Sequence, residues 1–201
     1  MRDMLKYGLT LMLLTGVLSS ILALVYGVTE PRRLEIVEEQ KQRAIAEVLP
    51  GAGYFREEDW YFRGYEAEDS DEPAGFAFMV RGEGYSAPIE AMVGVSIRRR
   101  DREPEISGIR IISQQETPGL GARIVEIPAG RTLPDIILGR KPDKPPEQQE
   151  PWFLEQFRGK TAGELEINSI HAIIGATKTT EAVVDSVRGG MEKLKKEVLE
   201  I

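Results

Sequence analysis

The sequence has no cysteine and only one histidine, His171, and both absences exclude whole classes of chemistry. Without cysteine the chain can supply no disulfide, no thiolate ligand for an iron–sulfur cluster or a zinc ion, and no cysteine nucleophile. A single histidine also excludes metal sites built from several histidines, and we predict no metal site. We expect His171 itself to be a surface or hydrogen-bonded side chain rather than a catalyst.

Positively charged residues are also in the minority. The chain has 26 Lys and Arg against 33 Asp and Glu, a net charge of −7. A nucleic-acid partner requires a clustered basic face, so we predict no nucleic-acid binding. The run Arg98-Arg99-Arg100, followed by Asp101 and Arg102, falls where a hairpin turn is expected, and a solvated loop is favoured over an anion-binding patch. The remaining roles are redox, carboxylate or hydroxyl chemistry, and binding.

A long uncharged stretch near the N-terminus predicts a membrane anchor. No charged residue occurs from Tyr7 to Val28, and a helix needs about 20 apolar residues to cross a bilayer. A cleaved signal peptide is the alternative, but its apolar core would be shorter and would end in a small-residue cleavage site. Positive charges at Arg2 and Lys6 favour a cytoplasmic tail with the rest of the chain outside. We assign residues 1–28 to the tail and the transmembrane anchor.

Residues 29–74 are predicted to be a juxtamembrane helix and a connector. Pro31 is placed as a first-turn proline would be, and apolar residues then recur at helical spacing as far as Pro50-Gly51: Leu34, Val37, Ala44, Ile45 and Val48. Acidic residues and a few aromatic residues share the segment Glu57–Glu72. This composition favours an irregular solvated segment with aromatic anchors, and a partner-binding role is the alternative.

The middle of the chain changes to a β-strand pattern. Three runs rich in β-forming residues, at 75–80, 89–97 and 106–112, predict an antiparallel sheet. A later proline-rich stretch, Lys141 to Pro146, predicts a surface loop.

The C-terminal part predicts an amphipathic helix that begins at about Thr180. One apolar stripe runs along it, formed by Val183, Val187, Met191, Leu194 and Val198. Because Gly189-Gly190 interrupts this helix with two poor helix formers, we expect a bend or a split there.

Two segments have more specific chemistry. In Glu116–Gly121 (ETPGLG), proline and two glycines predict a turn with close backbone approaches. In Ile174–Thr180 (IGATKTT), small and hydroxyl residues precede the terminal helix. A helix N-terminus offers free N–H groups and partial positive charge to a phosphate. Capping of the helix by Thr179 or Thr180 is an equally good interpretation, and the Gly-Lys-Ser/Thr ending of a nucleotide-hydrolase loop is missing.

Six short pieces occur in order along the chain: Gly84-Tyr85-Ser86-Ala87-Pro88-Ile89, Val93-Gly94-Val95, Ile106-Ser107-Gly108-Ile109, Glu116 to Gly121, Trp152 with Gln156-Phe157, and Gly175-Ala176-Thr177. Together with the N-terminal anchor, this ordered set resembles the RnfG/RsxG family, whose members are FMN-binding components of Rnf electron transport complexes. NqrC of the sodium-pumping quinone reductase is a relative of that family. The resemblance covers essentially the whole chain, and residues 75–188 match the FMN-binding domain.

The resemblance implies an α+β fold, in which an N-terminal transmembrane helix precedes one FMN-binding domain, at 75–201, with an antiparallel sheet, flanking helices and the C-terminal helix. It implies an electron-carrier subunit of a redox-driven complex that moves electrons between reduced ferredoxin and NAD while translocating Na⁺ or H⁺. Expected partners are the other membrane subunits of the Rnf complex and a flavin transferase. The expected location is the prokaryotic inner (plasma) membrane, single-pass, with the soluble domain extracytoplasmic.

In that family, a transferase that uses FAD joins FMN through its phosphate to a threonine in an Asp-x-x-Ser/Thr-Gly-Ala-Thr motif. The matching residue here is Thr177. The resemblance implies further cofactor-binding residues beside it and in the turn segment: Gly175, Ala176, Lys178, Thr179, Glu116, Thr117, Gly119 and Leu120. The flavin supplies the redox chemistry, so we predict no catalytic acid, base or nucleophile.

The sequence departs from the family motif at two positions. His171 stands where Asp is usual and Ile174 where Ser or Thr is usual. These departures leave three alternatives open: noncovalently bound FMN, a scaffold or assembly subunit of the same fold without covalent flavin, and a freestanding extracytoplasmic FMN reductase.

Overall fold

A computed structural model describes residues 2–70, 72–97, 103–127 and 150–199. The predicted arginine-rich turn at 98–102 and the predicted proline-rich loop at 141–146 lie outside the described residues. The chain divides into two compact units, Met1–Gln42 and Arg43–Ile201.

One helix spans Arg2–Val48, and we call it the N-terminal helix. Its segment from Tyr7 to Val28 exposes its apolar side chains, as at Leu22. Within the described residues it is the one helix long and apolar enough to cross a membrane. Pro31 lies inside the helix and does not begin a second one, contrary to our expectation. A proline removes the hydrogen bond of its own N–H, and this helix accommodates that loss without ending.

A five-stranded antiparallel sheet follows in the strand order β1-β2-β3-β4-β5. The strands are β1 (Tyr54–Glu57), β2 (Tyr61–Tyr65), β3 (Gly75–Glu83), β4 (Pro88–Ser96) and β5 (Glu105–Ser113). The three predicted runs correspond to β3, β4 and β5, so the expected antiparallel sheet is confirmed. The sheet also takes in β1 and β2, which belong to the segment predicted to be a connector.

The expectation of an irregular segment from Glu57 to Glu72 is therefore wrong for its first half. Strand β2 pairs with β3 in the register Tyr61↔Phe78 and Phe62↔Ala77. The aromatic side chains of Tyr61, Phe62 and Tyr65 are all buried. Because these rings pack on the sheet, aromatic burial overrides the acidic composition of the surrounding sequence.

Both faces of the sheet are covered within the second unit. On one face, the last turns of the N-terminal helix bury Ala44, Ile45 and Val48 against Phe62, Ala77 and Met92. The larger core lies on the other face, where side chains of the sheet meet the C-terminal helix and the segment from Trp152 to Ile173. The short elements of this segment are a helix at Trp152–Glu155 and 3-10 turns at Ala162–Glu164 and Ile167–Ser169.

The C-terminal helix spans Thr177–Leu194 and continues as one π-helical segment, Lys195–Leu199. It begins three residues before the predicted start, and it is not broken at Gly189-Gly190. A β-carbon at Gly190 would meet the Phe78 ring at 2.5 Å and Val80 at 2.6 Å. The glycine thus permits close packing of helix on sheet, and this packing keeps the helix continuous.

Candidate functional site

The two chemically specific segments meet at one pocket of about 290 Å³. The segment before the C-terminal helix and the turn segment supply most of its lining, and the β3–β4 connection supplies Tyr85: the lining residues are Tyr85, Glu116, Thr117, Leu120, Gly121, Gly175, Ala176, Thr177, Lys178 and Thr179. Its volume lies near the lower end of the usual range for ligand pockets, about 300 Å³. Eight of the nine predicted cofactor-binding residues therefore lie together, although they come from segments far apart in sequence.

The N-terminus of the C-terminal helix opens onto this pocket. Ala176 is the N-cap and Thr177 is the first helical residue. The backbone N–H groups of Thr177, Lys178 and Thr179 have no acceptor among the described residues, as the geometry of a first helical turn requires. Three free donors and the positive end of the helix dipole thus border the pocket.

The threonines after Thr177 do not cap the helix. Ala176 occupies the N-cap and forms no side-chain cap. The Thr179 hydroxyl donates to Glu116 Oε2 at 2.6 Å. The Thr180 hydroxyl donates to the Ala176 carbonyl at 3.1 Å and accepts the Ile173 N–H at 3.2 Å. The capping interpretation is therefore wrong, and the first-turn N–H groups stay available to a ligand.

Thr177 is the exposed threonine of this group, whereas Thr179 and Thr180 are buried. Its hydroxyl makes no hydrogen bond within the described part of the chain. Gly175, two residues earlier, has φ of +80°, a left-handed conformation that favours glycine. A β-carbon there would also approach the Leu120 side chain at 3.1 Å. The backbone before Thr177 is therefore shaped by glycine, and it leaves the Thr177 hydroxyl accessible.

Glu116 ties the walls of the pocket together. Its side chain is only 6% exposed. One carboxylate oxygen accepts the Thr179 hydroxyl, and the other accepts the Ser86 N–H at 2.9 Å. Burial acts to raise the pKa of Glu116, but these hydrogen bonds and those from the Ala87 and Tyr85 backbone outweigh it, and the pKa lies below its usual value. Glu116 is thus an ionised internal anchor whose oxygens already have protein donors.

The predicted turn is present at Thr117–Leu120. The Leu120 N–H donates to the Thr117 carbonyl at 3.1 Å, and Gly119 has φ of +77°. Proline in the second position and a left-handed glycine in the third suit such a turn. Gly119 itself does not line the pocket, so the structure gives it a conformational role and not a contact.

Two lining residues, Tyr85 and Gly121, were not among the predicted cofactor-binding residues. Tyr85 lies at the tip of the β3–β4 hairpin and is 74% exposed. A β-carbon at Gly121 would collide with the Glu116 carboxylate and with Thr179 Oγ1. Their place in the quoted pieces Gly84–Ile89 and Glu116–Gly121 marks them in the sequence, but only the packing around Glu116 brings them to the pocket.

The two departures from the family motif lie beside the pocket rather than in its lining. Ile174 precedes Gly175 and is 88% exposed. His171 is exposed, and its backbone N–H donates to Gln156 Oε1 at 2.7 Å. The described residues contain no group of three or more His, Asp or Glu side chains that could hold a metal ion. Glu116 and Lys178 are the two oppositely charged residues among the lining residues.

Comparison with known proteins identifies the domain around this pocket. The profile of the FMN-binding domain family matches residues 84–192, which include every lining residue. The RnfG-type component of the ion-translocating oxidoreductase complex of Methanosarcina acetivorans is 25% identical over 203 aligned residues, covering 95% of this chain and 94% of the relative. The corresponding protein of Haemophilus influenzae is 26% identical and covers 91% and 86%. That of Pseudomonas aeruginosa is 31% identical and covers 61% and 63%.

The family profile spans more than half of the chain, and two of these relatives align along nearly all of it. The predicted resemblance is thereby confirmed, as is the α+β architecture with an N-terminal apolar helix and an antiparallel sheet. The chain belongs to the FMN-binding domain family and groups with the RnfG-type components of ion-translocating oxidoreductase complexes.

Proposed function

We propose that this protein is a membrane-anchored flavoprotein subunit that relays electrons through FMN esterified to Thr177. The observation that carries the proposal is the exposed Thr177 hydroxyl at a helix N-terminus, on the edge of a pocket within the matched FMN-binding domain. The pocket unites the turn segment and the phosphate-type helix start, which the sequence alone leaves separate.

The pocket residues suit the chemical parts of FMN. The free N–H groups of Thr177, Lys178 and Thr179 are donors for a phosphate, and the helix dipole stabilises its negative charge. Leu120 and Tyr85 offer apolar surface to the flavin. When bound, FMN supplies one- and two-electron redox chemistry, and the chain contributes binding, orientation and electrostatic tuning.

Attachment would use the Thr177 hydroxyl as a nucleophile within a flavin transferase. The Thr177 Oγ1 forms a bond to the FMN phosphorus of FAD, the pyrophosphate bond breaks, AMP leaves, and the hydroxyl proton is released. No electrons are gained or lost in this transfer. The product is a phosphodiester with one negative charge, which the helix N-terminus can stabilise.

The relatives, named as subunits of an ion-translocating oxidoreductase complex, support a place in such an assembly. We propose that the complex transfers electrons between reduced ferredoxin and NAD and couples this transfer to movement of Na⁺ or H⁺. The N-terminal helix would cross the inner membrane once and contact the other membrane subunits. The FMN-binding domain would lie outside the cytoplasm, as the charges of the N-terminal tail favour.

The test is mass spectrometry of the protein purified from its native membrane, together with flavin fluorescence in a denaturing gel. We expect a mass increment of one phosphoester-linked FMN on the peptide that contains Thr177. Thr177→Ala should abolish this increment and leave the fold intact, because the side chain is exposed. Thr177→Ser is the matched control, since it keeps a hydroxyl at the same position.

The other outcomes separate the alternatives. Flavin that survives denaturation in Thr177→Ala would contradict the attachment site. An unmodified Thr177 together with FMN that dissociates on denaturation would indicate noncovalent binding. Protein that carries no FMN at all would favour the scaffold role, for which the departures at His171 and Ile174 provide a reason. Isolation of the protein as an active reductase without other subunits would favour the freestanding flavoprotein.

A further inference from the structure

The lining of the pocket contains one lysine, Lys178, in an unusual electrostatic position. It is the second residue of the C-terminal helix, and its side chain is exposed. No carboxylate among the described residues forms an ion pair with its ammonium. The first turn of the helix contains no acidic residue. Because the helix dipole places partial positive charge at the same end, an unpaired lysine there is unfavourable to the helix when the pocket is empty.

A phosphate in the pocket would meet one opposing charge. Glu116 also lines the pocket, and its hydrogen bonds keep it ionised at neutral pH. A buried carboxylate repels a phosphate, and the partial charge of one helix end is smaller than a full unit charge. Lys178 therefore decides whether the charged side chains around the pocket sum to a negative or a neutral value.

We infer that Lys178 is the counter-charge for the flavin phosphate, so that its ammonium offsets Glu116 and makes the pocket selective for a phosphorylated flavin. This inference rests on the proposed function, because it requires FMN at the Thr177 end of the pocket. It assigns Lys178 a role distinct from that of Thr177: Thr177 provides the atom that is esterified, and Lys178 provides charge. The lysine is thus unfavourable to the empty helix and favourable once the phosphate is present.

The experiment compares thermal unfolding of flavin-free and flavin-loaded protein, using the full-length chain in detergent at low salt. Flavin-free protein is produced without the transferase, and loaded protein with it; where no ester forms, saturating FMN replaces the transferase. The variants are Lys178→Leu, which removes the charge, and Lys178→Arg, which keeps it. Lys196→Leu is the matched control, because it removes the same charge from an exposed position roughly 25 Å further along the helical segment.

We expect the effect of Lys178→Leu to change sign on loading. Without flavin, the variant should unfold at the same temperature as wild type or slightly above it. With flavin, it should unfold about 2–4 °C below loaded wild type, and added salt should shrink the difference. Lys178→Arg should behave as wild type, and Lys196→Leu should shift both forms equally. Loss of loading in Lys178→Leu with normal loading in Lys178→Arg would also support the inference.

The contrary outcomes are distinguishable. An equal shift of flavin-free and loaded Lys178→Leu would overturn the role of Lys178, while the loaded wild type would still support the proposed function. Wild-type protein that takes up no flavin under either condition would overturn the proposed function, and the inference about Lys178 with it.

Discussion

At the scale of single residues, the pocket depends on a carboxylate that is almost fully buried. Glu116 connects the first turn of the C-terminal helix, through Thr179, to the β3–β4 hairpin, through Ser86. β-Carbons at Gly84 or Gly121 would collide with its oxygens. The two glycines therefore create the space in which this hydrogen-bonded anchor fits, and the pocket takes its shape from that arrangement.

Replacement of Glu116 should be costly. Glu116→Gln loses the charge that its donors stabilise, and we expect a loss of about 1–3 kcal/mol in the free energy of unfolding. Urea unfolding in mild detergent measures this quantity. Glu126→Gln is the control, because Glu126 is a half-exposed partner of Arg123 in a surface ion pair, worth about 0–1 kcal/mol. Equal effects of the two substitutions would contradict the anchoring role.

The same residue predicts a pH dependence. The pKa of Glu116 is lowered in the folded protein, so its ionised form favours folding. This contribution is fully present above the ordinary carboxylate pKa, about 4.3, and is lost as the pH falls below it toward the folded value. The difference in unfolding free energy between wild type and Glu116→Gln should therefore narrow in acid. A difference that stays constant from about pH 7 to pH 3 would refute this assignment.

At the scale of elements, the position of the C-terminal helix depends on close approach to the sheet. Gly190 lies against Phe78 and Val80, and a β-carbon at Gly82 in β3 would collide with the Ala182 carbonyl of the helix. These contacts set how closely the helix lies on β3. The same helix presents Thr177 and Lys178 at its N-terminus, so its packing also positions the candidate site.

The adjacent glycines provide a matched pair for a test. A β-carbon at Gly190 would overlap Phe78 and Val80, whereas a β-carbon at Gly189 has nothing within 4 Å. Gly190→Ala should destabilise the protein by about 1–3 kcal/mol, because overpacking outweighs the better helix propensity. Gly189→Ala should instead stabilise it by up to about 1 kcal/mol. Thermal unfolding of both variants measures the contrast, and equal signs would disprove the close-packing explanation.

At the scale of the whole molecule, the boundary between the two units lies within the N-terminal helix. The second unit begins at Arg43, and the next turns bury Ala44, Ile45 and Val48 on the sheet. The Val48 carbonyl also accepts the Ser107 hydroxyl at 2.5 Å. The end of the helix is thus part of the globular core, while residues 7–28 have the composition of a membrane span.

Two truncations test this division. A chain that starts at Arg43 should leave the membrane fraction and keep a cooperative unfolding transition, because it retains the buried turns. A chain that starts at Pro50 should be less stable by several kcal/mol, since each large buried side chain that is lost contributes about 1.5–3 kcal/mol. Membrane fractionation and urea unfolding measure the two effects. Similar stabilities of the two truncations would show that the helix end contributes little to the core.

The sequence predicts most of the elements on which the site is built. The β-rich runs correspond to β3, β4 and β5, and the apolar stripe corresponds to the C-terminal helix. Local pattern fails for β2, where aromatic residues are buried among acidic neighbours, and at Pro31, where a helix passes through a proline. It also fails at Gly190, because a glycine that weakens an isolated helix enables packing in this one.

The sequence by itself determined the apolar N-terminal segment, the antiparallel sheet, the turn around Gly119 and the hydroxyl-rich start of the C-terminal helix. Each of these depends on short-range composition, spacing or backbone preference. Only the tertiary structure decided that Glu116 anchors Thr179 instead of facing a ligand, and that Tyr85 and Gly121 line the pocket. Such contacts join residues that are far apart in the chain, and the free energy that selects them comes from burial and hydrogen bonding in the folded state.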